Sequence, residues 1–274
     1  MKYRVFFCIL SCVCLFGIMG CTSQTKGDTK PAQPEAEKAE TPTDIPQPGG
    51  HLYVRLDESS QEYMADDGTH LLTITKIFPV VTISGNEEAA SAINDYVRGD
   101  GLFDENSLFG LSNEEAFEWA KSDYETREHW VATYELCTGC SLQRIDDEAI
   151  SFRIFAYSYM GGAHPNHLSK GISFDTQTGK RLTLADIVED EKTGWEAVLQ
   201  FLLTETKKEE YAGIFYEDYE ERLINLLRED AWYLDEDGFH IIANEYEISC
   251  YAAGDFDFVI PYEQAHFLKE KYRK

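Results

Sequence analysis

Apolar and polar positions alternate along residues 51–274 in short runs that predict strands mixed with helices. Leu71 to Ile83 is rich in β-branched residues and predicts a strand, which Pro79 places at a sheet edge or a bend. In Ile150 to Tyr159, apolar residues alternate with polar ones, as in a strand with one buried face. Strands and helices do not follow one another in a strict βαβα order along the chain. We therefore expect an α+β fold with a largely antiparallel sheet, helices packed on one face and two small subdomains.

Capping residues and helical spacing predict where helices begin. Asn86 precedes apolar residues that recur at helical spacing, and Ser112 with Glu115 has the pattern of a capping box. Thr193 with Glu196 repeats that pattern ahead of another apolar stripe. A closing helix is predicted over Tyr262 to Tyr272. Turns are predicted at Asp175 to Gly179 and at Asp237-Gly238.

The first twenty residues have the pattern of a lipoprotein signal peptide. Lys2 and Arg4 precede an uncharged apolar run, which is short for a membrane-spanning helix and suited to a signal-peptide core. The run ends in Gly20-Cys21, which resembles a lipobox, so the thiol of Cys21 is expected to take a lipid. The alternative is an ordinary signal peptide that contains cysteines. The expected location is the extracytoplasmic side of the cell envelope, with Cys21 as the membrane anchor.

Residues 21–50 are predicted to be a disordered tether. They are rich in Thr, Pro, Glu and Lys and hold few large apolar residues, so they cannot bury enough surface to offset their conformational entropy. Beyond this tether we expect a smaller α+β domain at 51–145 and a C-terminal α+β domain at 146–274.

The charge of the chain narrows the choice of partners. The formal charge is −26, and removal of residues 1–20 with Lys2 and Arg4 would make it −28. A field of this sign repels nucleic acids and anionic membrane surfaces. We therefore expect no nucleic-acid partner, and any partner steered by charge should be cationic. Solubility alone is the alternative explanation of the charge.

The cysteines of the predicted domains do not form a recognisable metal site. Cys137 and Cys140 have the spacing of a redox motif or of half a zinc site, but two further ligands and a βαβ context are missing. The pair is predicted to lie in a turn between two strands, as a local disulfide or as two inert thiols. Cys250 lies in an apolar run and is predicted to be a small buried residue.

One cluster combines residues that are able to carry chemistry. The sequence lacks the HExxH, GxSxG, P-loop and GxGxxG signatures. Tyr157 to His167 holds two glycines, Gly161 and Gly162, and two histidines three residues apart, His164 and His167. This stretch has three interpretations: a metal or acid–base site, a binding surface, or a tight structural turn. A metal site would need a third ligand that the sequence does not identify.

Several motifs resemble a family of paired extracellular bacterial domains of unknown function. They are the SYMGGAHP stretch from Ser158, the FDTQTGK and LTLAD stretches from Phe174 and Leu182, WYLDEDGF from Trp232, YEISCYAAG from Tyr246, VIPY from Val259, and the upstream FPVV with Ile93-Asn94. Together they cover roughly residues 66 to 270. Related domains occur in the lysozyme-binding half of the anti-sigma-V factor and in the non-catalytic region of a peptidoglycan deacetylase.

The resemblance implies a binding or sensing module at the cell wall, without catalytic activity and without a cofactor. The expected partner is a cationic protein such as lysozyme, or peptidoglycan. The sequence contains neither a sigma-binding segment nor a deacetylase domain, so we expect no direct signalling and no deacetylation. The alternative is a hydrolase or metal enzyme that uses His164 and His167. The candidate binding residues are Tyr159, Gly161, Gly162, His164, Tyr251 and Gly254.

Overall fold

Nine strands and five helices are present among the described residues of the computed structural model, which are 45–46, 50–99, 112–126, 130 and 132–273. The strands are β1 Ile45–Pro46, β2 Leu52–Met64, β3 His70–Ile83, β4 Tyr134–Ile145, β5 Ala149–Tyr159, β6 Asn166–Asp175, β7 Trp232–Leu234, β8 Gly238–Ala243 and β9 Phe256–Pro261. The helices are α1 Glu87–Gly99, α2 Asn113–Thr126, α3 Leu184–Ile187, α4 Glu191–Glu205 and α5 Tyr219–Arg222. Short 3₁₀ turns cover Glu209–Tyr211, Leu223–Leu226, Tyr251–Ala253 and Glu270–Tyr272.

The strands form two sheets. The larger has the order β1-β2-β3-β4-β5-β6, and the smaller has the order β7-β8-β9. Neighbours are antiparallel except for β3 and β4, which run parallel. A parallel pair needs a long crossover, and α1 and α2 both lie in the chain between these two strands and contact β3. The predicted α+β fold with a largely antiparallel sheet is confirmed.

The two faces of β5 have different neighbours. Its alternating apolar residues point into a core that they share with α1: Ile150, Phe152 and Ile154. Ser151 points the other way and hydrogen-bonds Ser173 over 2.7 Å. On this second face Gly171 lies so close to the smaller sheet that an added Cβ would come within 2.0 Å of the Trp232 carbonyl oxygen. The larger sheet is therefore covered by α1 on one face and by the smaller sheet on the other.

Two of the three long helices, α1 and α2, begin where capping residues predict. The backbone N–H of Ala89 donates to Asn86 Oδ1 over 3.3 Å. Ser112 and Glu115 form the reciprocal capping box, with bonds of 2.7 and 3.2 Å. The predicted capping box at Thr193 is wrong, since α4 begins at Glu191 and its cap is Asp190, whose carboxylate accepts from the Thr193 N–H.

The closing segment differs from the sequence prediction. Residues 262–272 form turns and the short 3₁₀ turn Glu270–Tyr272 rather than a helix. The apolar residues of this segment still pack into the core, where Ala265, Leu268 and Tyr272 are at most 2% exposed. A series of buried turns gives these apolar residues the same spacing as a helix would, so the apolar pattern alone does not distinguish the two.

Pro79 lies within β3, beyond the part that pairs with β4. Past that point the open edge of β3 is covered by Asn94 of α1, whose side chain accepts from Val81 N and donates to Val81 O, both over 2.8 Å. One amide thus replaces a neighbouring strand, which explains how β3 continues beyond β4. Strand β2 was not predicted, because its distal half is polar on both faces and largely exposed.

The expected domain boundary at 145/146 lies in the turn between β4 and β5, two strands that pair along most of their length. Next to this turn, Arg144 is 2% exposed and reaches across to the C-terminal segment, donating to Tyr262 Oη and to the Tyr272 carbonyl. The expected signal peptide 1–20, the lipid on Cys21 and most of the tether lie outside the described residues. Within the described part of the chain, no helix has the length and apolarity to cross a membrane.

The predicted turn at Cys137 and Cys140 is wrong, and so is the disulfide considered for it. Both cysteines lie inside β4, paired with Tyr157 and Ile154 of β5. Three steps along a strand separate residues by roughly 10 Å and place them on opposite faces, beyond the reach of a disulfide. Cys140 is buried, and this burial raises the pKa of its thiol to about 12. Cys250 is exposed rather than buried.

Candidate functional site

The β5–β6 hairpin presents the glycine-rich stretch identified in the sequence. Tyr157 of β5 is paired with His167 of β6, and the connecting loop spans residues 160–165. Gly161 and Gly162 adopt φ angles of +81° and +94°, which side-chain-bearing residues rarely adopt. A Cβ on Gly161 would lie 2.7 Å from the hydroxyl of buried Tyr134. The glycines therefore allow the loop to turn sharply against the core.

This loop places His164 beside two tyrosines from a distant part of the chain. The rings of His164 and Tyr251 stack with centroids 3.8 Å apart and planes 23° apart. Tyr246 Oη lies 3.5 Å from His164 Nε2, and the rings of Tyr246 and Tyr251 are 6.2 Å apart. His164 Nδ1 is 2.8 Å from the Pro165 carbonyl oxygen. We name His164, Tyr246 and Tyr251 the aromatic platform.

Tyr246 was not among the predicted site residues, and it has an unusual backbone. Its φ angle of +66° is the one positive value found at a residue other than glycine in the described part of the chain. This region costs a β-carbon-bearing residue roughly 1–2 kcal/mol. Its side chain is also 49% exposed, so burial does not compensate for this cost. Strain of this kind is concentrated at functional sites. The signal available in the sequence was a tyrosine in the Asn244-Glu245-Tyr246 turn.

A partly buried carboxylate lies next to the platform. Burial raises the pKa of Glu245 and Asp255 raises it further, whereas the charges of His167 and His164 and the backbone N–H of His167 lower it. The result is a raised pKa. The nearby Asp255 is paired with Arg153. The platform therefore combines the exposed ring of Tyr246 and the half-buried rings of His164 and Tyr251 with a carboxylate that favours an additional positive charge.

The structure brings some of the predicted binding residues together and separates others. His164 and Tyr251 are in contact, and Gly254, at φ +74°, ends the 3₁₀ turn that carries Tyr251. Tyr159 lies on the other side of the loop, where its ring contacts buried Tyr134 edge-on at 6.4 Å. Its hydroxyl reaches the Gly162 carbonyl at 3.5 Å. Tyr159, Gly161 and Gly162 thus support the loop rather than extend the platform.

The rings of His164 and His167 point to different neighbours, although both residues lie near Glu245. His164 stacks on Tyr251, whereas His167 packs edge-on against Tyr157 at 5.3 Å within the β-ladder. Among the described residues, no group of three or more His, Cys, Asp and Glu side chains is arranged to hold a metal ion. The geometry favours the binding-surface interpretation of this stretch over the metal and acid–base interpretations.

A second histidine–tyrosine stack lies in the smaller sheet. We name Tyr233, Asp235, His240 and Asp257 the buried histidine cluster. His240 is 7% exposed, with Nδ1 2.9 Å from Asp257 and Nε2 2.8 Å from Asp235. Tyr233 stacks on the imidazole at 4.6 Å and donates to Asp257 over 2.5 Å. The sequence motif WYLDEDGF covers part of this cluster, but its convergence with Asp257 was not predicted.

The carboxylates determine the charge of the buried histidine. Burial by itself lowers the pKa of His240, but the hydrogen bonds and charges of Asp235 and Asp257 outweigh it and raise the pKa to about 9. His240 is therefore protonated at neutral pH. Each of its ring nitrogens faces a carboxylate, which makes the cluster a structural element rather than an open site.

Two family models match separate parts of the chain. Residues 184–263 match the model described as "Protein of unknown function (DUF3298)", and residues 66–167 match the model described as "Deacetylase PdaC". The expected likeness to a domain of unknown function and to a deacetylase-associated region is confirmed at these residues. No protein with a curated functional description matches the sequence.

Solved structures show the same fold. A DUF3298 family member from Bacteroides fragilis NCTC 9343 is 19% identical, with a TM-score of 0.57, and the match covers 80% of this chain and 94% of that one. A DUF3298 family protein from Pseudomonas aeruginosa PAO1 is 14% identical, with a TM-score of 0.51, over 80% and 95% of the two chains. No catalytic activity is assigned to these relatives. The chain thus shares the fold of DUF3298 proteins, with a PdaC-like segment at residues 66–167.

Proposed function

We propose that this protein is a lipid-anchored binding module of the cell envelope, without catalytic activity, that recognises its ligand on the aromatic platform. The observation that carries the proposal is the convergence of His164, Tyr246 and Tyr251 at a partly exposed position, from segments about eighty residues apart in the chain. Exposed aromatic rings next to a glycine-rich loop are typical of recognition surfaces. The strained backbone of Tyr246 supports a functional role, because strain of this kind is concentrated at functional sites.

The charge of the protein favours a cationic ligand. The whole chain carries −26, and the platform adds Glu245, a carboxylate whose raised pKa reflects burial and the nearby charge of Asp255. A lysine or arginine of a partner would gain a cation–π contact with the tyrosines and an ion pair with Glu245. A cationic protein such as lysozyme fits this description, as the resemblance to the anti-sigma-V factor implies. Peptidoglycan is the second candidate, and the PdaC-like segment motivates it.

The ligand is tested by titration of the full-length protein with lysozyme at low and high salt. We expect saturable binding at low salt that weakens as salt screens the charges. Tyr251→Ala should weaken binding about tenfold or more, which corresponds to loss of about 1.4 kcal/mol. The control is Trp119→Ala, since Trp119 is 54% exposed on α2 and is not part of the platform. Absence of binding at low salt would exclude lysozyme.

A sedimentation assay with purified peptidoglycan separates the two ligands. Retention by peptidoglycan that Tyr251→Ala abolishes, without lysozyme binding, would assign the platform to the wall. If Tyr251→Ala and Trp119→Ala behave alike with both ligands, the proposed role of the platform is wrong.

The membrane anchor is tested independently of the ligand. Labelling of cells with a palmitate analogue should mark the wild-type protein, and Cys21→Ser should remove the label and release the protein from the membrane fraction. A labelled Cys21→Ser variant would contradict the anchor but leave the platform proposal intact.

A further inference from the structure

A cleft of about 450 Å³ lies where the β4–β5 turn, the start of β2 and the C-terminal segment meet. None of the residues of the aromatic platform lines it. Apart from Arg144 and Asp146, which pair with each other, its charged lining residues are His51, Asp147, Glu148, Glu236, Lys271 and Arg273. Only Leu52 and Ile145 contribute large apolar side chains, so the cleft is unsuited to an apolar ligand.

Most of these charges compensate one another. His51 Nε2 is 3.1 Å from Asp147, and Lys271 Nζ is 3.6 Å from Glu148. Arg273 and Glu236 differ, since neither forms an ion pair with any described residue. The cleft therefore holds one half-buried cation, Arg273, and one exposed anion, Glu236, that no described residue neutralises.

The side chain of Arg273 also has a hydrogen-bond donor without an acceptor. Its Nε atom is enclosed and has no hydrogen-bond acceptor among the described residues. Its Nη1 is 3.4 Å from the imidazole of His266, which provides no negative charge. Because this N–H is enclosed, a ligand carboxylate would bind the terminal N–H groups of the guanidinium, which form strong charge-assisted hydrogen bonds with carboxylates.

We propose that this cleft binds a small amphoteric ligand, a short peptide with free termini. The ligand carboxylate binds Arg273, with Lys271 beside it, and the ligand ammonium binds Glu236. A volume of about 450 Å³ accommodates a peptide of a few residues and falls within the usual range of ligand pockets. This proposal is independent of the aromatic platform and of the membrane anchor.

The test is calorimetric titration of the full-length protein with dialanine and two blocked analogues. Alanylalanine amide lacks the carboxylate, and N-acetyl-dialanine lacks the ammonium. We expect each blocked analogue to bind at least tenfold more weakly than dialanine. Use of both L-Ala-L-Ala and D-Ala-D-Ala distinguishes an ordinary peptide end from one built of D-amino acids. Equal binding of all three compounds, or no binding of dialanine of either configuration, would overturn the proposal.

Two variants assign the ends of the ligand. Arg273→Gln should weaken the binding of dialanine and should make dialanine and its amide bind equally, because the carboxylate has lost its partner. Glu236→Gln should weaken the binding of dialanine and should make dialanine and its acetylated analogue bind equally, because the ammonium has lost its partner. Lys192→Gln and Glu196→Gln, at residues of α4 whose side chains are 83% and 63% exposed, are the respective controls for the change in net charge. If Arg273→Gln still binds dialanine tenfold more tightly than its amide, the assignment is wrong. Because this ratio is measured within one folded variant, a change in stability does not affect it.

Discussion

The molecule contains two stacked pairs of histidine and tyrosine that differ in their surroundings. His164 lies on Tyr251 at 3.8 Å and 23°, and His240 lies on Tyr233 at 4.6 Å and 22°. His240 is buried between two carboxylates. The outer partner of His164 is the hydroxyl of a half-exposed tyrosine, at 3.5 Å.

The difference shows that a residue pair acquires its role from the groups around it. His240 has a charged partner at each nitrogen, so its position and protonation are determined by the fold. His164 is half-buried, with the Pro165 carbonyl at one nitrogen and the Tyr246 hydroxyl at the other. Neither partner is charged, so its ring and those of Tyr246 and Tyr251 remain partly open to a ligand. The same two side chains therefore stabilise the fold in one place and offer a surface in the other.

The largest expected difference is between the effects of removing His240 and of removing His164 on the free energy of unfolding. His240→Ala removes the cation between Asp235 and Asp257 and leaves only Arg153, 3.5 Å from Asp257, so it should lower the free energy of unfolding by about 3–5 kcal/mol. His164→Ala removes a half-buried ring and should change it by less than about 1 kcal/mol. Urea unfolding of both variants checks this difference, and equal destabilisation would refute it.

The pH dependence of stability should follow the buried histidine. Because the folded pKa of His240 is about 9, above its ordinary value of 6.5, its contribution is complete below pH 6.5 and is lost as the pH rises through 9. The shift corresponds to about 3 kcal/mol. Urea midpoints at pH 6 and pH 9.5 measure the loss in the wild type. The same pair of measurements on His240→Gln should show a smaller loss; an unchanged loss would mean that other groups cause it.

Alanine substitutions in the loop that supports the platform should lower stability through a steric contact as well as through backbone strain. Gly161 and Gly162 both have positive φ, so alanine strains either position. Only at Gly161 would the new methyl group meet the Tyr134 hydroxyl, whereas nothing lies within 4 Å at Gly162. Gly161→Ala should therefore destabilise by about 1–2 kcal/mol more than Gly162→Ala. Thermal unfolding of the two variants gives this difference directly, and no difference would mean that the contact is unimportant.

The smallest expected change is a gain in stability. Tyr246→Gly removes a β-carbon from a left-handed conformation and should raise the free energy of unfolding by about 0.5–1 kcal/mol. The same variant loses one platform ring and should bind the ligand more weakly. Stability and affinity that change in opposite directions would support a backbone strained for function. A destabilised variant would show that the Tyr246 ring contributes to the fold.

Local patterns predicted strand β3 and the beginnings of helices α1 and α2, and contacts between distant segments account for the errors. Asn86 and the Ser112–Glu115 pair begin helices as predicted, because a cap depends on residues within one turn. The turn expected at Cys137 is instead the middle of β4, since pairing with β3 and β5 outweighs the turn preference of Thr138-Gly139. Strand β2 has little apolar pattern and is held by its antiparallel pairing with β3.

The candidate site shows the same division. Its glycine-rich hairpin, His164 and Tyr251 were identified from residue types and a motif resemblance. Tyr246 was missed because its φ angle and exposure are consequences of the folded chain, and Tyr159 was included although it turns toward Tyr134. Sequence spacing identifies residues that are able to bind a ligand, but the direction of each side chain depends on the neighbouring elements.

The sequence by itself determined the α+β class, the beginnings of α1 and α2, the sharp loop at Gly161-Gly162 and the strong negative charge. Each of these depends on local conformational preference or on composition. Only the tertiary structure decided which histidine is buried between Asp235 and Asp257, and which lies near the surface beside Tyr246. The physical reason is that burial and ring stacking join residues 164 with 251 and 240 with 257, and the sheets bring these together at distances that no local pattern encodes.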